Sequence, residues 1–294
     1  MPSAPIIPFP ALACPLDGNA LAPHGASWRC AAGHSFDVAS QGYVNLLPVQ
    51  NKRSRDPGDS KEMIAARRRF LEAGVYQPIA QAVTEATLAG LSPESTADCL
   101  DAGCGEGYYL RQLAAAAKGR GQALALLGLD ISKWAVLAAA KQDSHTRWVV
   151  GSNANLPVLP ATLERVLCMF GFPVYPEFAR VLQPGGLLIQ VDAGPDHLRE
   201  LREIIYPRLK AERSAAPAAP AGFVALPPGE PLRYTLELSS PGQIADLLLM
   251  TPHLYRASAE GRARAAALTS LHLTVDVRLT RFERNDAEVA KVEA

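Results

Sequence analysis

The stretch Asp101-Ala-Gly-Cys-Gly-Glu-Gly-Tyr-Tyr109 decides the fold. It follows a short apolar run, Asp98-Cys-Leu-Asp-Ala-Gly103, and leads into a segment of helical composition. Gly103, Gly105 and Gly107 let the backbone turn sharply and come close to a ligand that a Cβ would hold off. A helix opening at such a turn points free N–H groups into the crevice. In open α/β sheets that crevice, at the carboxyl end of a strand where strand order reverses, is where ligands bind.

The same rhythm continues outward. From about residue 76 to 195, β-like runs at 98–103, 125–130, 147–151, 165–170 and 187–192 alternate with Ala/Leu-rich helical segments, one of them capped by Ser132. Alternation of this kind predicts a parallel sheet covered on both faces. Beyond it lie an Ala/Pro-rich insertion near 214–231 and the strand Arg233-Tyr-Thr-Leu-Glu-Leu238. A helix opened by Ser240-Pro-Gly-Gln243 and an alternating strand at 271–280 complete the chain. Two closing strands, the last antiparallel, complete a seven-stranded mixed sheet of the Rossmann-like class I methyltransferase type.

Two details of the glycine loop favour S-adenosylmethionine over a dinucleotide. The spacing is D-x-G-x-G-x-G, not G-x-G-x-x-G, and the acid Asp101 sits on the strand itself. The cofactor carries an ammonium and no pyrophosphate, and a carboxylate helps to place that charge. Asp130 closes the next strand in Gly-Leu-Asp-Ile-Ser, where a carboxylate accepts both ribose hydroxyls and Ile131 lies against the adenine. Its alternative role is a helix cap. Ser152 and Asn153 stand either at the adenine edge or in a plain turn, and Cys104 reads as a small filler.

The chain of 294 residues is 48% hydrophobic and 20% charged with zero formal net charge, so no global field draws it to nucleic acid or membrane. Five irregularly spaced cysteines do not form a disulfide framework. No basic-plus-apolar leader and no run of about 20 apolar residues is present. A reduced, soluble, cytoplasmic protein is expected, with no membrane contact. Three parts are expected: a zinc-finger-like module at 1–50, a basic hinge and helix at 51–75, and a methyltransferase domain at 76–294.

The first part carries Cys14, Asp17, Cys30 and His34 in the spacing C-x2-D-x12-C-x3-H, which suits two turns sharing one zinc ion. A carboxylate in place of a thiolate weakens such a site. The alternative is a metal-free remnant held by Trp28, Phe36 and Tyr43. In the hinge, seven basic residues between Lys52 and Arg69 face three acids, a local charge of +4. Lys52, Arg53, Arg55, Arg67, Arg68 and Arg69 are therefore candidates for gripping an RNA backbone. The alternative is a solvated helix face paired with its own acids.

Taken together, these residues resemble the 23S ribosomal RNA (guanine-N1)-methyltransferases that act on the guanine-745/748 region of hairpin 35. The likeness is densest from Phe36 to Pro78 and continues at Ala179–Gly186, Gly194–Leu198 and Met250–Pro252. It implies methyl transfer from S-adenosylmethionine to 23S rRNA, a zinc site at Cys14, Cys30 and His34 from which Asp17 departs, and a homodimer. It also implies cofactor contacts at Tyr76, Gly105, Glu106 and His197. Cys168-Met-Phe-Gly-Phe-Pro173 departs from the family's residues where the target base sits. Phe170, Phe172 and Tyr175 there serve either stacking or core packing. The competing readings are a methyltransferase for a small molecule or ribosomal protein, and an inactive RNA-binding factor.

Overall fold

The computed structural model describes residues 5–51, 54–209 and 218–285; Lys52, Arg53 and part of the Ala/Pro-rich insertion lie outside them. The N-terminal region contains β1 (Ile6–Pro8), β2 (Ala22–His24), β3 (Ser27–Arg29), β4 (Ser35–Asp37) and β5 (Tyr43–Asn45). Two helices follow, α1 (Lys61–Glu72) and α2 (Gln77–Leu88). The alternating region runs β6 (Ala97–Ala102), α3 (Tyr108–Arg120), β7 (Leu124–Asp130), α4 (Lys133–Ala140), β8 (Arg147–Val150), β9 (Leu163–Met169), α5 (Tyr175–Val181) and β10 (Leu182–Ala193). The rest comprises α6 (Arg199–Ile205), β11 (Phe223–Ala225), β12 (Leu232–Leu238), α7 (Pro241–Met250), α8 (His253–Arg256), α9 (Ala259–Ala266) and β13 (Leu271–Arg284).

The seven expected strands are present in the order β8-β7-β6-β9-β10-β13-β12. All pairs from β8 to β10 are parallel, and β13 runs antiparallel to both neighbours. Strand order therefore reverses between β6 and β9, which places the crevice beside the loop that follows Ala102. Ser132 and Ser240 start their helices as the sequence indicates, accepting N–H bonds from Ala135 and Gln243, and Ser60 does the same for α1 with Met63. Each such cap stabilises its helix by about 1 kcal/mol.

Three short strands extend the expected seven. β1 lies parallel to β7, β5 parallel to β8, and β11 antiparallel to β13. Two of these come from the first 50 residues, so that region is stitched into the main sheet. Phe9, Leu12, Leu21 and Trp28 share one buried cluster with Val44, Leu46, Val158 and Phe178. Each such side chain contributes about 1.5–3 kcal/mol over remaining exposed. The Arg147 guanidinium on β8 also stacks 4.6 Å above the Trp28 ring. No described helix is long and apolar enough to cross a membrane.

Candidate functional site: a two-ended cavity beside a metal-ligand cluster

The loop after β6 is shaped by packing as well as by ligand approach. Gly107 has φ +82, and a Cβ there would lie 2.5 Å from the buried Trp148 ring. Gly107 thus lets α3 begin against Trp148 and does not itself line the cavity. Gly103 and Gly105 do, and the Gly105 N–H donates to Asp130 Oδ2 at 2.9 Å. Asp130 Oδ1 accepts from the Ser132 N–H at 2.8 Å, so its carboxylate braces the loop and starts α4 while lining the cavity. Burial raises the Asp130 carboxyl, against the pull of those two N–H groups and Arg67.

Asp101 is fully buried beneath this loop, and both of its carboxylate oxygens lack a hydrogen-bond partner. Burial, with the charge of Asp130, pushes its carboxyl up to about 8. Two unpartnered oxygens under the loop are costly unless a cation balances them. The ammonium and ribose of S-adenosylmethionine fit this pair of acids.

The cavity has a volume of about 1150 Å³, and eight of the ten expected cofactor residues line it: Tyr76, Gly103, Gly105, Glu106, Asp130, Ile131, Asn153 and His197. Asp101 lies behind its wall and Gly107 packs away from it. Glu106 turns one carboxylate oxygen to Arg111 and Gln142 and leaves the other buried without a partner. Asn153 Oδ1 is likewise buried without a partner. A volume above the roughly 300–1,000 Å³ of a single small-molecule site leaves space for two reactants.

The far end of the cavity is aromatic. Phe170 stacks on His197 with centroids 5.7 Å apart, and Tyr76 lies 6.2 Å from each ring. Phe170 and Leu198 hold φ +51 and +52, a left-handed conformation that costs a non-glycine residue about 1–3 kcal/mol. The two strained positions fall at Phe170 itself and at the residue after His197. Phe172 is 88% exposed at the rim. Tyr175 instead packs edge-on against Phe223 and Phe282, with its hydroxyl on Gln190, and belongs to the core.

The expected RNA arginines divide. Arg68 pairs with Glu72 along α1, Arg69 pairs with Asp246 of α7, and Arg67 pairs with Asp59 and lines the cavity. Arg55 is exposed, with no ion-pair partner among the described residues. The long-range partners Asp246 and Met250 gave no local signal in the sequence, because the contacts that expose their role span more than a hundred residues.

In the N-terminal module, Cys14, Asp17, Cys30 and His34 bring their ligand atoms within 4.8 Å of one another. Asp17 Oδ2 is 3.0 Å from His34 Nδ1 and 3.2 Å from Cys30 Sγ. The two thiols lie 3.5 and 3.4 Å from His34 Nδ1. Tetrahedral zinc, with its usual bond lengths, separates such atoms by about 3.3–3.6 Å, so the cluster fits the ion after slight expansion. Burial pushes the Cys14 thiol up to about 11, and the Asn19 N–H holds the Asp17 carboxyl well below the usual range.

Comparison with known proteins agrees with both halves. Residues 12–55 match the zinc-ribbon family described as RlmA, N-terminal, and residues 99–186 match a methyltransferase domain. A Bacillus subtilis (strain 168) protein provisionally named 23S rRNA (guanine-N(1)-)-methyltransferase YxjB is 33% identical over 277 residues, 92% of this chain and 96% of that one. A Micromonospora griseorubida protein with the same provisional assignment is 35% identical over 93% of this chain and 97% of its own. The 23S rRNA (guanine(748)-N(1))-methyltransferase of Streptomyces fradiae is 35% identical over 192 residues, 65% of this chain and 66% of that one. With such identity along nearly its whole length, the chain belongs to the 23S rRNA (guanine-N1)-methyltransferase family.

Proposed function

We propose that the protein methylates N1 of a guanine in hairpin 35 of 23S rRNA, in the 745/748 region. The observation that carries this is one continuous cavity, acidic at the glycine loop and aromatic at Phe170 and His197. S-adenosylmethionine, when bound, supplies a methyl group on a positively charged sulfur. Asp101 provides negative charge beneath the ammonium, Asp130 accepts the ribose hydroxyls, and Ile131 and Asn153 meet the adenine. Tyr76 and His197 hold the methionine end.

The target base must leave its stack to reach this site. Phe170 offers it a face inside the cavity, and holding N1 near the transferring carbon supplies much of the acceleration. Guanine N1 carries a proton at neutral pH, and we assign its acceptor to Asp192. Four acids line the cavity. Asp59 and Glu106 are held in ion pairs, and Asp130 by two backbone N–H groups. Asp192, at the end of β10, accepts a hydrogen bond from Gln190 at 2.7 Å and has no ion-pair partner among the described residues.

The test is transfer of labelled methyl to unmodified 23S rRNA, with the product nucleotide mapped by mass spectrometry. N1-methylguanine in hairpin 35 supports the reading, and label elsewhere or on ribosomal protein refutes it. The homodimer implied by the resemblance is checked by the particle mass in solution.

A further inference from the structure

Arg67 is one of the arginines whose charge run suggests an RNA contact, yet its side chain is only 25% exposed. One guanidinium nitrogen, Nη1, lies 2.6 Å from Asp59 Oδ2, and the other, Nη2, donates to the Met250 carbonyl at 3.0 Å. The same side chain lies against the glycine loop: an atom added to the Gly105 Cα would sit 3.5 Å from Nη1. One cation therefore joins the segment before α1, the loop after β6 and the end of α7.

The segment it holds covers the nucleoside end of the cavity. Pro57, Gly58 and Asp59 all line that cavity. Gly58 has φ +85, and a Cβ there would lie 2.9 Å from both Ile131 Cγ2 and Ser132 Cβ, so the backbone rests directly on them. The Asp59 carbonyl accepts the Ser132 hydroxyl at 2.6 Å. With Ile131 and Asp130 read as the adenosine end, this segment forms part of the wall around a ligand seated there. Behind it, the two-pronged Arg69–Asp246 pair ties α1 to α7.

We propose that Arg67 is a positioning residue of the cofactor chamber, latching Pro57–Asp59 over the bound nucleoside, and is not an RNA contact. The latch retains cofactor by slowing its escape. This inference rests on reading the cavity as the cofactor site.

The test is calorimetric binding of S-adenosylhomocysteine to the full-length protein, with RNA binding and kinetics measured alongside. In Arg67→Met, Kd for S-adenosylhomocysteine should rise about tenfold, the scale of one lost charge-assisted hydrogen bond. KM for S-adenosylmethionine should rise with it, while kcat at saturating cofactor, KM for RNA and the salt slope of RNA binding stay unchanged. Asp59→Asn removes the same ion pair from the other side and should reproduce the loss, including if Arg67→Met does not fold. The double variant should add little to either. Unchanged Kd in both single variants overturns the latch, as does a flattened RNA salt slope with cofactor affinity intact. Failure of the unsubstituted protein to bind S-adenosylhomocysteine would instead refute the underlying cofactor assignment.

Discussion

His197 Nε2 lies 3.4 Å from the Tyr76 hydroxyl, while its Nδ1 accepts the Asp276 N–H at 3.3 Å. With Nδ1 as acceptor, the ring proton sits on Nε2 and points at the tyrosine oxygen. Burial lowers the His197 imidazole to about 4, so it is neutral throughout the physiological range. Tyr76, buried and pushed up, stays a phenol and is left with its own proton to donate into the cavity. Tyr76→Phe keeps the ring contacts with Phe70 and Phe170 and removes that donor together with the acceptor of the His197 Nε2–H. Cofactor Kd should rise about three- to tenfold, the scale of a neutral hydrogen bond, with a modest fall in Tm from the buried His197 N–H left unpaired. An unchanged Kd would remove the hydroxyl from the cofactor site.

Asp101 should give binding a pH dependence. Its carboxyl is raised to about 8 in the free protein by burial and by Asp130, so near neutrality it is mostly protonated. A ligand ammonium favours the ionised form, and binding below pH 8 must then displace a proton. Affinity should rise from pH 6 to 8 by at most about tenfold per unit and level off above. Calorimetry at pH 7 in buffers of different ionisation enthalpy should register proton release approaching one. Asp101→Asn should lose both the release and the slope. A slope that persists in that variant would place the titrating group elsewhere.

Much of this was legible in the sequence because it is local. The glycine loop, the acids at the ends of two adjacent strands and the serine caps each depend on a few neighbouring residues. The parallel direction of the first five strands follows from their alternation with helices, whereas their spatial order does not. What escaped was long-range. Nothing near Arg67 distinguishes it from Arg68 and Arg69, yet Asp59 and the Met250 carbonyl draw it into the cavity while its neighbours stay on the surface. The strands β1 and β5 are three residues each, too short to announce a pattern, and only the stretch Leu124–Leu126 of β7 that β8 does not reach, and the outer edge of β8, give them partners.

The metal cluster should load zinc without holding up the fold. Cys14 and Cys30 lie in the same buried cluster as Leu12, Trp28 and Val158, and β1 and β5 anchor the module at both ends. Chelator treatment should therefore remove zinc, read by metal analysis and a colorimetric indicator, while far-ultraviolet circular dichroism changes little. Asp17→Cys should slow that removal, since thiolate is the softer donor. Loss of the main unfolding transition on chelation would show that the ion carries the fold.

As the proposed acceptor of the N1 proton, Asp192 should govern the chemical step. A general base contributes about 10²–10⁴-fold, so Asp192→Asn should lower kcat by at least about a hundredfold. The substitution is isosteric and keeps a side-chain oxygen for the Gln190 bond, so Tm and cofactor Kd should remain near those of the unsubstituted protein. Asp130→Ala provides the contrast, because it removes the acceptor for the Gly105 and Ser132 N–H groups and should act mainly on cofactor binding. In single turnover with saturating cofactor and RNA, the Asp192→Asn rate should rise with pH as hydroxide takes over removal of the N1 proton. A rate in Asp192→Asn equal to that of the unsubstituted protein would transfer the proton acceptor to water or a backbone carbonyl.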